Sequence, residues 1–203
     1  PIIHVRHVPL SSSLNNAVKR TIDVVGSLFG LIILAIPMLI VALIIKITSP
    51  GPLIFKQVRV GLHNREFAMY KFRSMRVQEE SAEKKAWTTA NDPRVTSIGK
   101  FMRKTNLDEL PQIFNVLKGD MSLVGPRPER PYFVNKFKEE IPRYMIKHQV
   151  RPGITGWAQV NGYRGDTSIR MRIDCDLYYI ENWTLMLDIK ILLLTVAVSY
   201  THL

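Results

Sequence analysis

From Val24 to Ile45 the chain carries no charged residue, and Asp23 and Lys46 mark the ends of the run. As a helix these about 22 residues would reach roughly 33 Å, enough to cross the hydrocarbon core of a bilayer. The run is too long and too unpatterned for a core helix of a domain this size. No small-residue cleavage site follows it, so a signal peptide is a poor fit. Two features argue against a simple span. Pro37 sits near the middle, where it removes a backbone hydrogen bond and favours a kink. Both flanks are basic (Arg6, Lys19 and Arg20 before; Lys46, Lys56, Arg59 and Arg65 after), so the positive-inside rule holds both sides in the cytoplasm. The pattern therefore predicts a membrane helix over residues 17–49 that bends at Pro37 and returns to the face it entered, with a single span as the alternative.

Around that run the polarity pattern predicts further elements. Residues 1–16 show no periodicity and read as a linker. Thr48 to Pro52 turns the chain, and Leu53 to Val60 and Glu66 to Phe72 alternate as two strands about a turn at Gly61 to Asn64. Gln78 to Lys85 reads as an exposed helix or loop. Asn91 to Arg94 reads as a turn into a helix from about Val95 to Lys104, with Val95, Ile98, Phe101 and Met102 at helical spacing. A further helix is predicted with Thr105 or Asn106 as its cap and Pro111 in its first turn. Its buried stripe would be Leu110, Ile113, Phe114 and Leu117, with Gly119 just past its end. Pro131 to His148 reads as an amphipathic helix interrupted at Pro142, and Ala158 to Val160 as a short strand. A helix carries Asp174, Asp176, Tyr178 and Tyr179. Leu185 to Val198 is apolar around Asp188 and Lys190; its uncharged part is too short to span, so it is predicted to lie in the interface, with Trp183 and Tyr200 at headgroup level. The expected fold class is α+β, mainly helical, with a re-entrant N-terminal membrane helix, a small β-hairpin and amphipathic interfacial helices. Residues 50–198 form the expected cytoplasmic catalytic domain and residues 199–203 a tail that follows the apolar run abruptly. A start at Pro1 reads as a piece of a longer chain.

Charge narrows the partners. With 203 residues and a net charge of +11, the chain calls for an anionic partner: nucleic acid, an anionic membrane or a phosphorylated substrate. The apolar run favours the membrane, and no nucleic-acid module motif is present. A single cysteine, Cys175, excludes an internal disulfide framework and a cysteine-based zinc site.

The candidate chemistry lies in Thr105 to Glu129. Adjacent carboxylates, Asp108 and Glu109, follow Arg103 and Lys104, and Arg127 stands between Pro126 and Pro128. The plain alternative is that two acids at a helix start complement the macrodipole. Adjacent helical residues point about 100° apart, however, so the two carboxylates have different surroundings. A carboxylate can attack phosphorus as a covalent nucleophile, or hold Mg²⁺ together with substrate phosphates. Arginine is the matching clamp for phosphate oxygens. Lys71 and Arg73, a basic pair at a strand end beside Ser74, read as facing a phosphate.

The stretches KFRSM (71–75), DPRVTSIGKFMRKTNLDELPQIFNVLKGDMSLVGPRPE (92–129) and RPGITGWAQVNGYRG (151–165) resemble the bacterial sugar transferase family, the monotopic polyprenyl-phosphate sugar-1-phosphate transferases or phosphoglycosyl transferases. The resemblance covers about residues 17–198 and is especially close to undecaprenyl-phosphate glucose phosphotransferases that initiate exopolysaccharides, whose members usually carry further N-terminal membrane helices and another domain. It implies a ping-pong reaction in which Asp108 attacks the β-phosphate of a UDP-sugar, UMP leaves, and undecaprenyl phosphate takes the sugar phosphate. Glu109 is implied as the second member of an Asp-Glu dyad, and Mg²⁺ as the metal, with Asp108 its protein ligand. Lys71, Arg103 and Arg127 match basic positions near the active centre. Arg151 is implied to meet a phosphate or the nucleotide, with a structural ion pair as the alternative. Asp176 is a site residue by family position, with a solvated acidic face as the rival. The resemblance places the protein at the bacterial inner membrane, with the catalytic domain on the cytoplasmic face, and glucose follows from subgroup similarity. Expected partners are the UDP-sugar, undecaprenyl phosphate and membrane lipids, with no nucleic acid and a homo-oligomer left open. The rival function is a basic membrane-associated scaffold without catalysis, which leaves Asp108-Glu109 between Arg103 and Arg127 unexplained.

Overall fold

One helix, α1 (Ser13–Thr48), runs unbroken through Pro37 for 36 residues, about 54 Å. The structure, a computed structural model, describes residues 8–75, 94–163 and 167–201. The predicted Gln78–Lys85 segment, the turn at residues 91–93 and the side chain of Tyr200 lie outside the described residues. Helix α1 starts four residues before the expected 17 and is long and apolar enough to cross a membrane.

Both ends of α1 are fastened to the same body. Near its start, Lys19 Nζ donates to Asp188 at 2.7 Å, and Arg20 donates to the carbonyls of Val116 and Leu117 at 2.6 and 2.8 Å. Asp23 accepts from Ser122 Oγ and from the Leu123 amide, both at 2.9 Å. Near its end, Val41 and Ile45 are buried against Phe72 and Met102. Between these anchors Phe29, Ile32, Ile33, Ile36, Leu39 and Ile40 are each more than half exposed. A contiguous apolar surface of that kind calls for lipid rather than water.

Strands β1 (Ile54–Val60) and β2 (Glu66–Phe72) pair antiparallel, with Ile54 opposite Phe72 and Val60 opposite Glu66, as the alternation predicts. Helix α2 (Ser97–Lys104) begins two residues later than expected. Thr96 Oγ1 caps it by accepting from the Gly99 amide at 3.0 Å. A 3₁₀ turn (Leu107–Glu109) then leads into α3 (Gln112–Lys118), which ends at Gly119 with φ 93°, as expected of a residue past a helix end.

The buried face of α3 differs from the predicted stripe. Phe114 is exposed, and Gln112, Ile113, Asn115 and Val116 are buried. The cause is the second strand: Asn115 accepts from the Tyr70 amide at 2.9 Å and donates to the Ala68 carbonyl at 2.8 Å. Its carboxamide supplies the pairing that β2 lacks on that side, and this demand turns the short helix.

A second pairing was not predicted. Strand β3 (Ser122–Val124) lies parallel to β4 (Gly153–Thr155). The expected strand at Ala158–Val160 is instead a helical turn, α5 (Trp157–Val160). Glycine makes the β3–β4 approach feasible, since a Cβ on Gly153 would stand 2.1 Å from the Gly125 nitrogen. The amphipathic segment after β3 divides into α4 (Pro131–Glu140) and a 3₁₀ stretch, Tyr144–Gln149, as its proline suggested. Helices α6 (Ile169–Glu181) and α7 (Leu185–Thr201) complete the body. Helix α7 exposes Met186, Ile189, Leu193 and Val196 while burying Asp188 and Ile191, so apolar side chains lie on both its buried and its exposed faces. Trp183, expected at headgroup level, is buried and donates Nε1–H to Asp188 at 3.1 Å. The indole is drawn inward because Asp188 needs donors in a dry site.

Candidate active site

Asn106 adopts the left-handed conformation (φ 56°), which asparagine tolerates better than most residues, and its carbonyl accepts the Glu109 amide at 3.1 Å. This closes the tight turn that holds the acidic pair. Asp108 and Glu109 therefore precede α3 instead of sitting in its first turn, and the macrodipole reading of the pair loses its basis. Adjacent side chains in a 3₁₀ turn diverge by about 120°, so the two carboxylates meet different partners.

Glu109 Oε1 accepts from Lys71 Nζ at 2.6 Å and from Arg127 Nη2 at 2.8 Å. Burial alone would raise its pKa, but Arg127 and Lys71 outweigh burial and hold the carboxyl well below the usual range. Asp108 is 8 % exposed. Burial pushes its carboxyl up from the ordinary 3.8; Lys71 offsets part of this, the Glu109 charge adds to it, and Arg103 offsets a further part. Arg103 is itself oriented by Nε–H donation to Ser74 Oγ at 2.8 Å. Strand β2, helix α2, the 3₁₀ turn and the Pro126–Pro128 segment thus bring Lys71, Arg103, Asp108, Glu109 and Arg127 into one cluster.

Three other expected site residues are held by contacts of their own. Arg73 is buried and donates to the Ser49 and Pro50 carbonyls at 2.7 and 2.6 Å, tying down the chain as it leaves α1. Arg151 donates to the Gly119 carbonyl and to Asn16 Oδ1, both at 3.0 Å, so it braces the end of α3 against α1. Asp176 is 2 % exposed and pairs with Lys147 at 3.3 Å, so it forms no solvated acidic face.

A cleft of about 450 Å³ opens beside the cluster. Glu109 and Arg127 stand at its polar part, Ile113, Leu123 and Ile154 form apolar wall, and Gly26, Gly30 and Leu34 bring α1 onto it. A Cβ on Gly26 would stand 2.8 Å from Leu123 Cδ1, and one on Gly30 3.3 Å from Ile113 Cδ1, so bare backbone at both positions lets the helix approach. Asp108 is not part of the cleft wall. Sequence reasoning missed the glycine pair, although its four-residue spacing on a helix was visible. It also missed Ser74 as the brace for Arg103, which only the fold reveals.

A model of the bacterial sugar transferases matches residues 14–202, nearly the whole chain. This chain belongs to the bacterial sugar transferase family. Its relatives include the UDP-glucose:undecaprenyl-phosphate glucose-1-phosphate transferase of Escherichia coli K12, 44% identical over all of this chain and 44% of that protein. The UDP-N-acetylgalactosamine-undecaprenyl-phosphate N-acetylgalactosaminephosphotransferase of Aeromonas hydrophila is 47% identical over 95% of this chain and 46% of its own length. The exopolysaccharide production protein PSS of Rhizobium leguminosarum is 44% identical over 91% of this chain and 96% of its own. This bacterial sugar transferase chain thus spans less than half the length of the first two relatives and nearly all of the third.

Proposed function

We propose that this chain is the catalytic part of a phosphoglycosyl transferase that moves a sugar-1-phosphate from a UDP-sugar to undecaprenyl phosphate at the cytoplasmic face of the bacterial inner membrane. The observation that carries this reading is the Asp108–Glu109 turn, held among Lys71, Arg103 and Arg127, whose Glu109 and Arg127 line a cleft walled in part by the apolar helix α1. Polar phosphate chemistry and a lipid acceptor need such a junction. The names of the relatives support both substrates.

In this reading a carboxylate oxygen of Asp108 attacks the β-phosphorus of the donor. The bond from that phosphorus to the bridging oxygen breaks, UMP leaves, and an aspartyl phosphosugar remains. An oxygen of undecaprenyl phosphate then attacks the same phosphorus, breaks the acyl-phosphate bond and restores Asp108. Lys71, Arg103 and Arg127 stabilise the charge that builds on the phosphoryl oxygens. Glu109, pinned by Lys71 and Arg127, keeps two of those cations in place. The apolar wall of the cleft suits the first isoprene units, with Arg127 toward the lipid phosphate.

Among the described residues no three His, Cys, Asp or Glu side chains gather as a metal cage. One carboxylate, Asp108, beside a Glu109 oxygen already shared by two cations, fits Mg²⁺ carried on the donor diphosphate, because that ion keeps several waters and takes one or two protein carboxylates. When bound, the ion neutralises diphosphate charge. Glucose is the proposed sugar, and the N-acetylgalactosamine relative makes that sugar the first competitor.

The reading is tested with purified protein in detergent, given UDP-glucose labelled in the β-phosphate. Without acceptor, label should stay on the protein and be released by hydroxylamine, as expected of an acyl phosphate; with undecaprenyl phosphate it should move to lipid as UMP accumulates. Release of UMP with no protein-bound label would sink the covalent route, and no release from any UDP-sugar would sink the activity.

We also propose that α1 re-enters the face it leaves, because residues at both its ends are anchored on one body. Single cysteines at positions 12 and 49, in a Cys175→Ser background, are expected to react with a membrane-impermeant reagent from the cytoplasmic side only. Labelling from opposite sides would establish a span instead.

A further inference from the structure

The segment that carries Arg127 is held from behind by charges that the reaction does not use. Glu129 is 5 % exposed, and its Oε1 accepts from Arg172 of α6 at 3.2 Å while Oε2 lies 3.9 Å from Arg59 of β1. Arg59 also donates to the Pro128 carbonyl at 3.1 Å, and the Val60 amide donates to the Glu129 carbonyl at 3.0 Å. On the other side of Arg127, the Gly153 amide donates to the Pro126 carbonyl at 2.9 Å. The residues on both sides of Arg127 are therefore fixed to the hairpin, to α6 and to β4.

A buried carboxylate needs such partners, and removing one member of the set leaves an uncompensated charge in a dry site. A set of this kind is a costly way to add stability alone. Its position offers a second use. Arg127 has a single ion-pair partner among the described residues, Glu109, and its side chain remains about one third exposed. Long side chains at such sites lose their aim unless the backbone below them is fixed.

We propose that Glu129, clamped by Arg172 and Arg59, is a positioning residue that aims Arg127 at Glu109 and at the phosphoryl oxygens of the substrate. The proposal rests on the phosphoglycosyl transferase reading for its catalytic consequence. Its geometric core, that Glu129 sets the environment of Arg127, does not.

Two readouts separate the cases. In protein labelled with ¹⁵N-arginine, the Arg127 Nε–H signal, assigned by its loss in Arg127→Lys, should move toward that of a free guanidinium in Glu129→Gln. In UMP-release assays Glu129→Gln should lower turnover by about 10- to 100-fold. The double variant Glu129→Gln/Arg127→Lys should match Arg127→Lys alone within about twofold, because the two residues act through one group. Arg172→Lys, which keeps the charge but loses the planar fork, should show the same dependence and serves if Glu129→Gln fails to fold. An unmoved Arg127 signal, or losses that multiply in the double variant, would overturn the positioning role. A moved signal in a protein whose wild type releases no UMP would support the positioning and reject the activity.

Discussion

Asp108→Asn is expected to abolish UMP release, with a loss on the order of a thousandfold or more. Asparagine keeps the size of the side chain, but its amide cannot form the acyl phosphate. The same change should not weaken the fold. Asp108 is buried, with its carboxyl raised above the ordinary 3.8 by desolvation, so its charged form is the strained one. A raised carboxyl contributes stability that is present below its unfolded pKa and is lost as pH rises through its folded value. Above its folded pKa that contribution is gone, and there the neutral amide should melt at or above the wild-type temperature. Attack requires the carboxylate, so wild-type kcat/KM for the UDP-sugar should fall on acidification along a limb lying above pH 3.8. Glu109 has the opposite sign: its depressed carboxyl contributes stability above the ordinary 4.5, lost as pH falls toward its folded value. Thermal melts and UMP release, measured on the same preparations, decide the matter. Near-normal turnover in Asp108→Asn would remove it as nucleophile.

Asp188→Ala is expected to cause the largest loss of stability, about 3–5 kcal/mol. Asp188 accepts from Lys19 Nζ at 2.7 Å, from the Tyr179 hydroxyl at 2.7 Å and from Trp183 Nε1 at 3.1 Å. All four residues are buried. Alanine would leave the Lys19 ammonium without its carboxylate and the Trp183 indole N–H without an acceptor, while the Tyr179 hydroxyl keeps the Val124 carbonyl at 3.1 Å. For a chain of this size that corresponds to a drop in Tm of roughly 6–20 °C. Asp188→Asn should cost less, since its amide oxygen still accepts while the charge opposite Lys19 is lost. A melt of Asp188→Ala within about a degree of wild type would mean that water enters and replaces the carboxylate.

Much of the molecule was legible because its signals are local. The apolar run from Val24 to Ile45 needs no partner to declare itself, and the hairpin rests on period-two alternation about a turn at Gly61 to Asn64. Asp108, Glu109 and Arg103 were found as candidates because opposite charges crowd a short span, Arg127 because prolines flank it and Lys71 because it stands at a strand end, with motifs that match the family. Other features depend on partners far along the chain. Asn115 looks like an ordinary helix residue until the edge of β2 needs its carboxamide. Three-residue strands such as β3 and β4 have too little length for a period, and they pair only because Gly125 and Gly153 allow two backbones to meet. Arg73, Arg151 and Asp176 carry charges that suit a substrate on paper, and only the fold shows that they meet backbone carbonyls, Asn16 and Lys147.

By itself, the sequence determined that this protein has a long apolar helix, a basic body and an acidic pair beside arginine, since composition, periodicity and adjacency are properties of the chain alone. Only the tertiary structure decided which charges are buried, which arginines reach the acidic pair, and that both ends of α1 rest on one body. Burial and pairing depend on residues separated by many tens of positions, as Lys19 is from Asp188, and such distances close only when the chain folds.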